Sequence, residues 1–237
     1  MAFDKFGRQN QINAIAVIPA RGGSVRIPGK NLADFGGVPS ITRVVQIAHE
    51  SSIFNRVIVS TDDKNIAKCA AKAGAEIIER SAELADNLTP IQPVVANVIA
   101  AAPEATHICL ILATAVLLLP KRLNHALDML SADPHLDFVI GIRKFESPPQ
   151  RGFRLNNQGY VEMDSPEYFN TRSQDLPTLY HDAGQFSFGN REAWLSGKAS
   201  FMMRTRGIEL PRWEAVDIDE PEDLDFARLI FHSQKKR

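Results

Sequence analysis

The chain has 237 residues, 44% hydrophobic and 23% charged, with a formal net charge of -1. That length and composition suit one large globular α/β core, and the balanced charge argues against a surface built for nucleic acid. The longest uncharged apolar run, residues 108–120, is too short to span a bilayer, so no membrane partner is expected.

Residues 1–11 are polar and are expected to form a frayed tail; they carry no apolar leader, which points to a cytoplasmic protein. Cys69 and Cys109 show neither disulfide nor metal spacing, as suits reduced thiols in that compartment. Residues 15–19 read as a buried strand, and the character then changes abruptly. Ala20-Arg21-Gly22-Gly23-Ser24 and Arg26, with Lys30-Asn31 beyond Gly29, make a glycine-softened basic loop. Small residues let backbone N–H groups approach an oxyanion, and the cations neutralise it. The spacing is neither that of a P-loop nor that of a dinucleotide fingerprint. A surface turn with scattered cations is the plainer alternative, and the strand ahead of the loop favours phosphate.

A helix follows from Pro39-Ser40, with Ile41, Val44, Val45 and Ala48 on one face. Residues 57–60 read as a second strand, and Thr61-Asp62-Asp63 cap a helix that stops at Gly74. Residues 76–78 form a third strand. After a loop holding Arg80 and Asp86, Thr89 is expected to cap a helix with Pro90 at its first position. Residues 107–113 and 137–142 read as strands on either side of a helix carrying Leu123, Leu127 and Leu130. The expected architecture is α/β: a three-layer, Rossmann-like domain with a mostly parallel central sheet, occupying 1–237 as a single domain.

Between residues 143 and 179 the alternation stops, and the loop-rich stretch 143–183 is the expected substrate-binding region. Beyond it, residues 185–189 and 201–206 read as strands, with a short helix capped by Asn190 between them. Residues 213–219 read as the last strand, and Pro221 opens a closing helix that runs to Lys235-Lys236-Arg237. In a strand, residues two apart share a face, so Asp217 and Asp219 converge. Adjacent like charges favour a cation between them, and Mg²⁺ held by two carboxylates and nucleotide phosphates is the natural use. The competing use is Asp219 as a cap for the last helix with Asp217 in water. For Arg80 and Asp86 the plain alternative is a surface ion pair, and for His181 a buried structural histidine.

The loop Ala20–Ser24 with Ile27-Pro28-Gly29-Lys30-Asn31 resembles the signature of the nonulosonic acid cytidylyltransferases, and the likeness runs from about Ala14 to the closing helix. Arg-Ser-Gln-Asp-Leu at 172–176, Tyr-His-Asp-Ala-Gly-Gln-Phe at 180–186 and Pro149-Gln150-Arg151 are similar to the branch that activates pseudaminic acid. The sialic acid branch has an Arg-Pro-Asn-Gly-type segment near 181–184. The resemblance implies a Mg²⁺-dependent enzyme that joins CTP and a nonulosonic acid to give a CMP-sugar and pyrophosphate, working as a homodimer. It places Arg21 and Lys30 with Asp217 and Asp219 in catalysis, and the aspartates as the metal ligands. Ala20, Arg21, Gly22, Gly23, Ser24, Arg26, Lys30, Asn31 and Arg80 would hold the nucleotide. Arg151 and Arg172 would grip the sugar carboxylate bidentately, with Gln150, Gln174, His181, Asp182 and Gln185 lining its pocket.

Four positions depart from that pattern. Val25 stands where a basic residue is usual, Leu112 and Val116 where Tyr and Pro are usual, and Ser187 where an aromatic is usual. The alternatives are therefore a cytidylyltransferase for legionaminic or N-acetylneuraminic acid, or a nucleotide-binding protein with little turnover.

Overall fold

The computed structural model describes residues 12–24, 26–86 and 89–234. The expected frayed tail at 1–11, Val25 and the basic C-terminus 235–237 lie outside the described residues. Strands β1 (Ala14–Pro19), β2 (Arg56–Thr61), β3 (Glu76–Glu79) and β4 (His107–Ile111) alternate with helices α1 (Ser40–Glu50), α2 (Lys64–Lys72), the single turn α3 (Ala82–Ala85) and α4 (Ile91–Ala100). Then come α5 (Pro120–Ala132), β5 (Phe138–Lys144), the short pair β6 (Phe153–Leu155) and β7 (Val161–Met163), β8 (Tyr180–Asn190), α6 (Arg191–Leu195), β9 (Thr205–Glu209) and α7 (Pro221–Gln234).

The central sheet has seven strands in the order β3-β2-β1-β4-β8-β5-β9. Only β8 runs against its neighbours, β4 and β5; the other pairings are parallel. The alternation of β1 builds the layers. Ala14, Ala16 and Ile18 enter a core shared with α1, α2, α5 and α7, whereas Ile15 and Val17 face α4 and α6. Burying both faces of these strands contributes about 25 cal/mol for each Å² of apolar surface removed from water, and this is why they read as unbroken apolar runs.

After β1 the chain moves to β2 and β3 on one side, then returns to β4 on the other. The strand order reverses at β1, and the carboxyl ends of β1 and β4 diverge into a crevice. The basic loop fills that position.

Several sequence expectations need correction. Residues 213–219 are not a strand. Leu210 makes the last bond across from β9, to the Ile142 carbonyl at 2.9 Å, and the chain then turns. Side chains serve the carbonyls beyond it: Arg143 donates to Ala215, Gln185 to Val216 and Lys30 to Ile218. The strand expected at 201–206 lies later, at Thr205–Glu209, and is the last of the described strands; residues 200–202 form a 3-10 turn. Pro90 is the residue before α4 and not its first position, and the Thr89 hydroxyl donates to the Glu83 carbonyl instead of capping the helix. The segment after residue 143 contains the antiparallel hairpin β6–β7.

Candidate active site

The basic loop is tied to the end of β2. The Ala20 N–H donates to the Ser60 carbonyl at 2.9 Å, and the Gly22 N–H donates to Asp62 Oδ1 at 2.9 Å. Next to it, Asp63 accepts from the Asn65 and Ile66 N–H groups and caps α2. A Cβ on Gly22 would stand 2.9 Å from the Asp63 side chain, so the approach of loop to helix needs glycine there. The Asn31 amide donates to the Arg21 carbonyl at 2.9 Å, so this buried side chain braces the loop from beneath. Among the described residues, nothing lies within 4 Å of a Cβ placed on Gly23.

Arg21, Ser24, Arg26, Lys30 and Asn31 line one side of a cleft of about 260 Å³, and Asp217 and Asp219 stand on the other. Leu112, Ala113 and Thr114, which follow β4, complete the wall. The Lys30 ammonium donates to the Ile218 carbonyl at 2.6 Å and lies 3.8 Å from Asp219 Oδ1, while Arg26 bonds the same oxygen at 2.6 Å. Burial lowers the Lys30 pKa, against the pull of Asp219. Partial burial and the Asp219 charge together raise that of Asp217. This is the electrostatic signature of two carboxylates short of positive charge. No group of three or more His, Cys, Asp or Glu side chains placed to hold a metal ion occurs among the described residues. Two carboxylates facing a cationic loop suit Mg²⁺, which takes one or two protein carboxylates and fills its shell with water and phosphate oxygens.

Gly184 adopts φ +61°, and a Cβ there would come within 3.4 Å of the Asp217 carboxyl. This irregularity brings β8 against the acidic pair. A second cavity of about 300 Å³ adjoins the cleft at Leu112; Asp182, Gly184, Gln185, Phe138, Phe186 and Trp194 are among its lining. Asp182 Oδ1 accepts from the Gly184 N–H at 2.8 Å. Gln185 is 1% exposed, and its amide donates to the carbonyls of Ala183, Gly184 and Val216.

Other expected site residues lie elsewhere. Arg80 is buried; it donates to the Ser60 carbonyl at 2.8 Å, and burial lowers its pKa despite nearby Asp62. It sits under the end of β2 and does not line the cleft. Asp86 contributes its carbonyl, which accepts from Arg21 at 3.2 Å. The His181 ring packs against Phe145 at a tilt of 54°, with ring centroids 4.8 Å apart. Gln150, Arg151 and Arg172 bond within the 143–179 segment, to Pro177, to Thr171 and Ser173, and to Asp175 respectively, and Gln174 is exposed there. None of these four lines the cleft or the adjoining cavity.

Sequence reasoning missed three contributors. Asp62 anchors the loop and was visible only as part of a helix cap. Thr114 and its neighbours supply a wall. Glu214, wholly buried and bonded to Arg122, fixes the approach to Asp217.

The cytidylyltransferase family profile matches residues 15–236. The pseudaminic acid cytidylyltransferase of Campylobacter jejuni is 38% identical, over 92% of this chain and 95% of that protein. N-acylneuraminate cytidylyltransferase B of Danio rerio is 33% identical, over 89% of this chain and 49% of that one. Among solved structures, CMP:2-keto-3-deoxy-manno-octonic acid synthetase complexed with CTP superposes with a TM-score of 0.71 at 20% identity, over 94% of this chain and 99% of that one.

Proposed function

The chain belongs to the cytidylyltransferase family, and we propose from that premise that it transfers CMP from CTP to pseudaminic acid. The carrying observation is the cleft at the strand-order reversal, where Arg21, Arg26 and Lys30 face Asp217 and Asp219. Such a cleft fits a triphosphate, and the named relatives supply the sugar.

The sugar's anomeric oxygen forms a bond to the α-phosphorus, the bond from that phosphorus to pyrophosphate breaks, and the hydroxyl proton is lost to solvent. Arg21 and Lys30 neutralise the phosphates, and the backbone of Gly23 lies beside them; the Gly22 and Ser24 N–H groups are engaged, by Asp62 Oδ1 and by the Gly22 carbonyl at 3.0 Å. Bound Mg²⁺, held by Asp217 and Asp219, would supply charge neutralisation for the attacking and leaving oxygens. Lys30, fixed on the Ile218 carbonyl, keeps its charge at one point; such positioning supplies most of the rate in phosphoryl transfer. Arg80 and Asn31 act by holding the loop and the end of β2. Asp182 and Gln185 face the sugar side. Arg151, Arg172, Gln150, Gln174 and His181 are assigned to the same end, and Arg172 must give up Asp175 to grip a carboxylate.

A cytoplasmic homodimer fits this reading. Phe153, Leu155 and Val161 on the β6–β7 hairpin are 62–72% exposed, and a two-stranded sheet is marginal in water unless something covers it. A second copy of the chain is the proposed cover.

The similarity to the N-acylneuraminate enzyme of Danio rerio supports a second reading, a sialic acid substrate. Pyrophosphate release from CTP with pseudaminic, legionaminic and N-acetylneuraminic acids separates the two. The pseudaminic acid reaction should have the highest kcat/KM. Equal values for all three would remove the sugar assignment, and no release with any would leave only nucleotide binding.

A further inference from the structure

Asp219 has two cationic neighbours of different character. Lys30 is 20% exposed at its side chain and is anchored on the Ile218 carbonyl at 2.6 Å. Arg26 is 57% exposed, bonds Asp219 Oδ1 at 2.6 Å, and has its other terminal nitrogen 3.7 Å from Glu220. Lys30 is therefore a fixed part of the wall, whereas the Arg26 guanidinium, among the described residues, is held by its acidic partners. Arg26 also lines the cleft beside Ser24 and Arg21, within the space a triphosphate would fill.

A dication drawn to Asp219 meets the guanidinium already bonded to Oδ1 at 2.6 Å, and like charge sets the two against each other. Where the dication takes Oδ1, the released guanidinium is left beside the phosphates. We propose that Arg26 is an exchangeable counter-ion: it covers Asp219 in the free protein and moves to the phosphates when nucleotide enters, so that the metal site opens only with nucleotide present. This rests on the proposed role of the aspartate pair. Arg26 then guards Asp219 in the free protein and contacts phosphate in the nucleotide-bound one. Its function differs from that of Lys30 although both are cations on one carboxylate oxygen.

The physical consequence is antagonism. In the free protein, Arg26 adds like charge beside the incoming cation and occupies one of its ligands. Exposed ion pairs are individually weak, so the pair can exchange. Repulsion between guanidinium and dication adds to that cost.

The test uses the full-length protein and Mn²⁺ as a spectroscopic stand-in for a hard, oxygen-ligated dication. Mn²⁺ binding to the nucleotide-free protein is followed by electron paramagnetic resonance, and CTP binding in EDTA by calorimetry. Arg26→Met should tighten Mn²⁺ roughly tenfold without nucleotide and should weaken metal-free CTP. Adding Asp219→Asn to Arg26→Met should abolish the Mn²⁺ gain. Because Arg26 is exposed, the variant should unfold at the same urea concentration as the wild type. Unchanged or weaker Mn²⁺ binding by Arg26→Met, with CTP binding intact, overturns the exchange while leaving the nucleotide site standing. Failure of the wild type to bind CTP with or without Mg²⁺ would instead overturn the nucleotide reading, and the exchange with it.

Discussion

Arg122 on α5 clamps the carboxylate of Glu214, donating from Nε at 2.9 Å and from a terminal nitrogen at 3.0 Å. Glu214 is 0% exposed and accepts a further, longer bond from the Leu119 N–H at 3.4 Å. The pair stands three residues ahead of Asp217 and fixes where the acidic segment begins. Removing one partner of a buried pair leaves an uncompensated charge, at a cost of about 3–5 kcal/mol. Arg122→Met should therefore destabilise the protein by about 3 kcal/mol in urea unfolding. The double variant Arg122→Met with Glu214→Leu should recover much of that loss. A single-variant cost below about 1 kcal/mol would mean that the pair is solvated like a surface bridge.

Much of the fold was legible because its core strands are buried on both faces and its helices carry one apolar stripe. Ile41, Val44, Val45 and Ala48 are all buried, as their spacing implies. The segment 213–219 misled because Ala215, Val216 and Ile218 are buried without pairing. An apolar run reports burial, and here side chains from three other elements replace the ladder. The hairpin was hidden by its exposure: Phe153 and Leu155 alternate as a strand should, but they face water. The cationic loop and the acidic pair were legible as residue types, and the cleft that joins them follows from the strand order. The distance in sequence between Arg26 and Asp219 carries no such information. The anchors Asp62 and Glu214 were invisible because their roles depend on partners 40 and 92 residues away.

Asp217→Asn and Asp219→Asn should each lower kcat by on the order of 100-fold or more, the loss typical of one missing electrostatic stabiliser. Burial and Asp219 raise the Asp217 pKa. A raised carboxyl pKa means that ionisation works against folding, so neutralising Asp217 should leave thermal stability at pH 7 unchanged or increased. Loss of activity with an unchanged or higher melting temperature separates chemistry from unfolding. Near wild-type turnover in both variants would remove the aspartates from the mechanism.

His107 opens β4, and burial lowers its pKa. Its Nδ1 lies 3.0 Å from the Thr106 hydroxyl, and Glu104, Asp133, Arg191 and Glu192 line the cavity beside it. The folded protein then binds a proton less readily than the unfolded chain, whose histidine titrates near ~6.5. Its contribution is present above about pH 6.5 and is lost as pH falls through the lowered folded value. Urea midpoints measured from pH 8 to pH 5 should fall in the wild type and fall less in His107→Gln. Identical slopes for the two proteins would assign the acid sensitivity elsewhere.

Adjacent aspartates at the end of β2 should separate cleanly into one residue for stability and one for nucleotide binding. Asp63 caps α2 through two N–H groups, at 2.7 Å from Asn65 and 2.9 Å from Ile66. Losing such a cap costs about 1 kcal/mol of stability. Asp62 instead holds the Gly22 N–H of the basic loop, and it is exposed, so it contributes little to folding. Asp63→Ala should lower the unfolding free energy by about 1 kcal/mol and leave the KM for CTP close to that of the wild type. Asp62→Ala should leave stability within about 0.5 kcal/mol and raise the KM for CTP, because the loop loses its tie to β2. Asp62→Asn keeps an acceptor for Gly22 and should restore most of the affinity. If the charge itself mattered, by attracting Arg80 or repelling phosphate, Asn would behave unlike Asp whatever its hydrogen bond. Gly22→Ala offers an independent check, since its Cβ would press on Asp63 at 2.9 Å. It should combine both defects, a weaker α2 and a displaced loop. A normal KM for CTP in both Asp62→Ala and Gly22→Ala would show that the loop needs no anchor at β2 to hold a nucleotide.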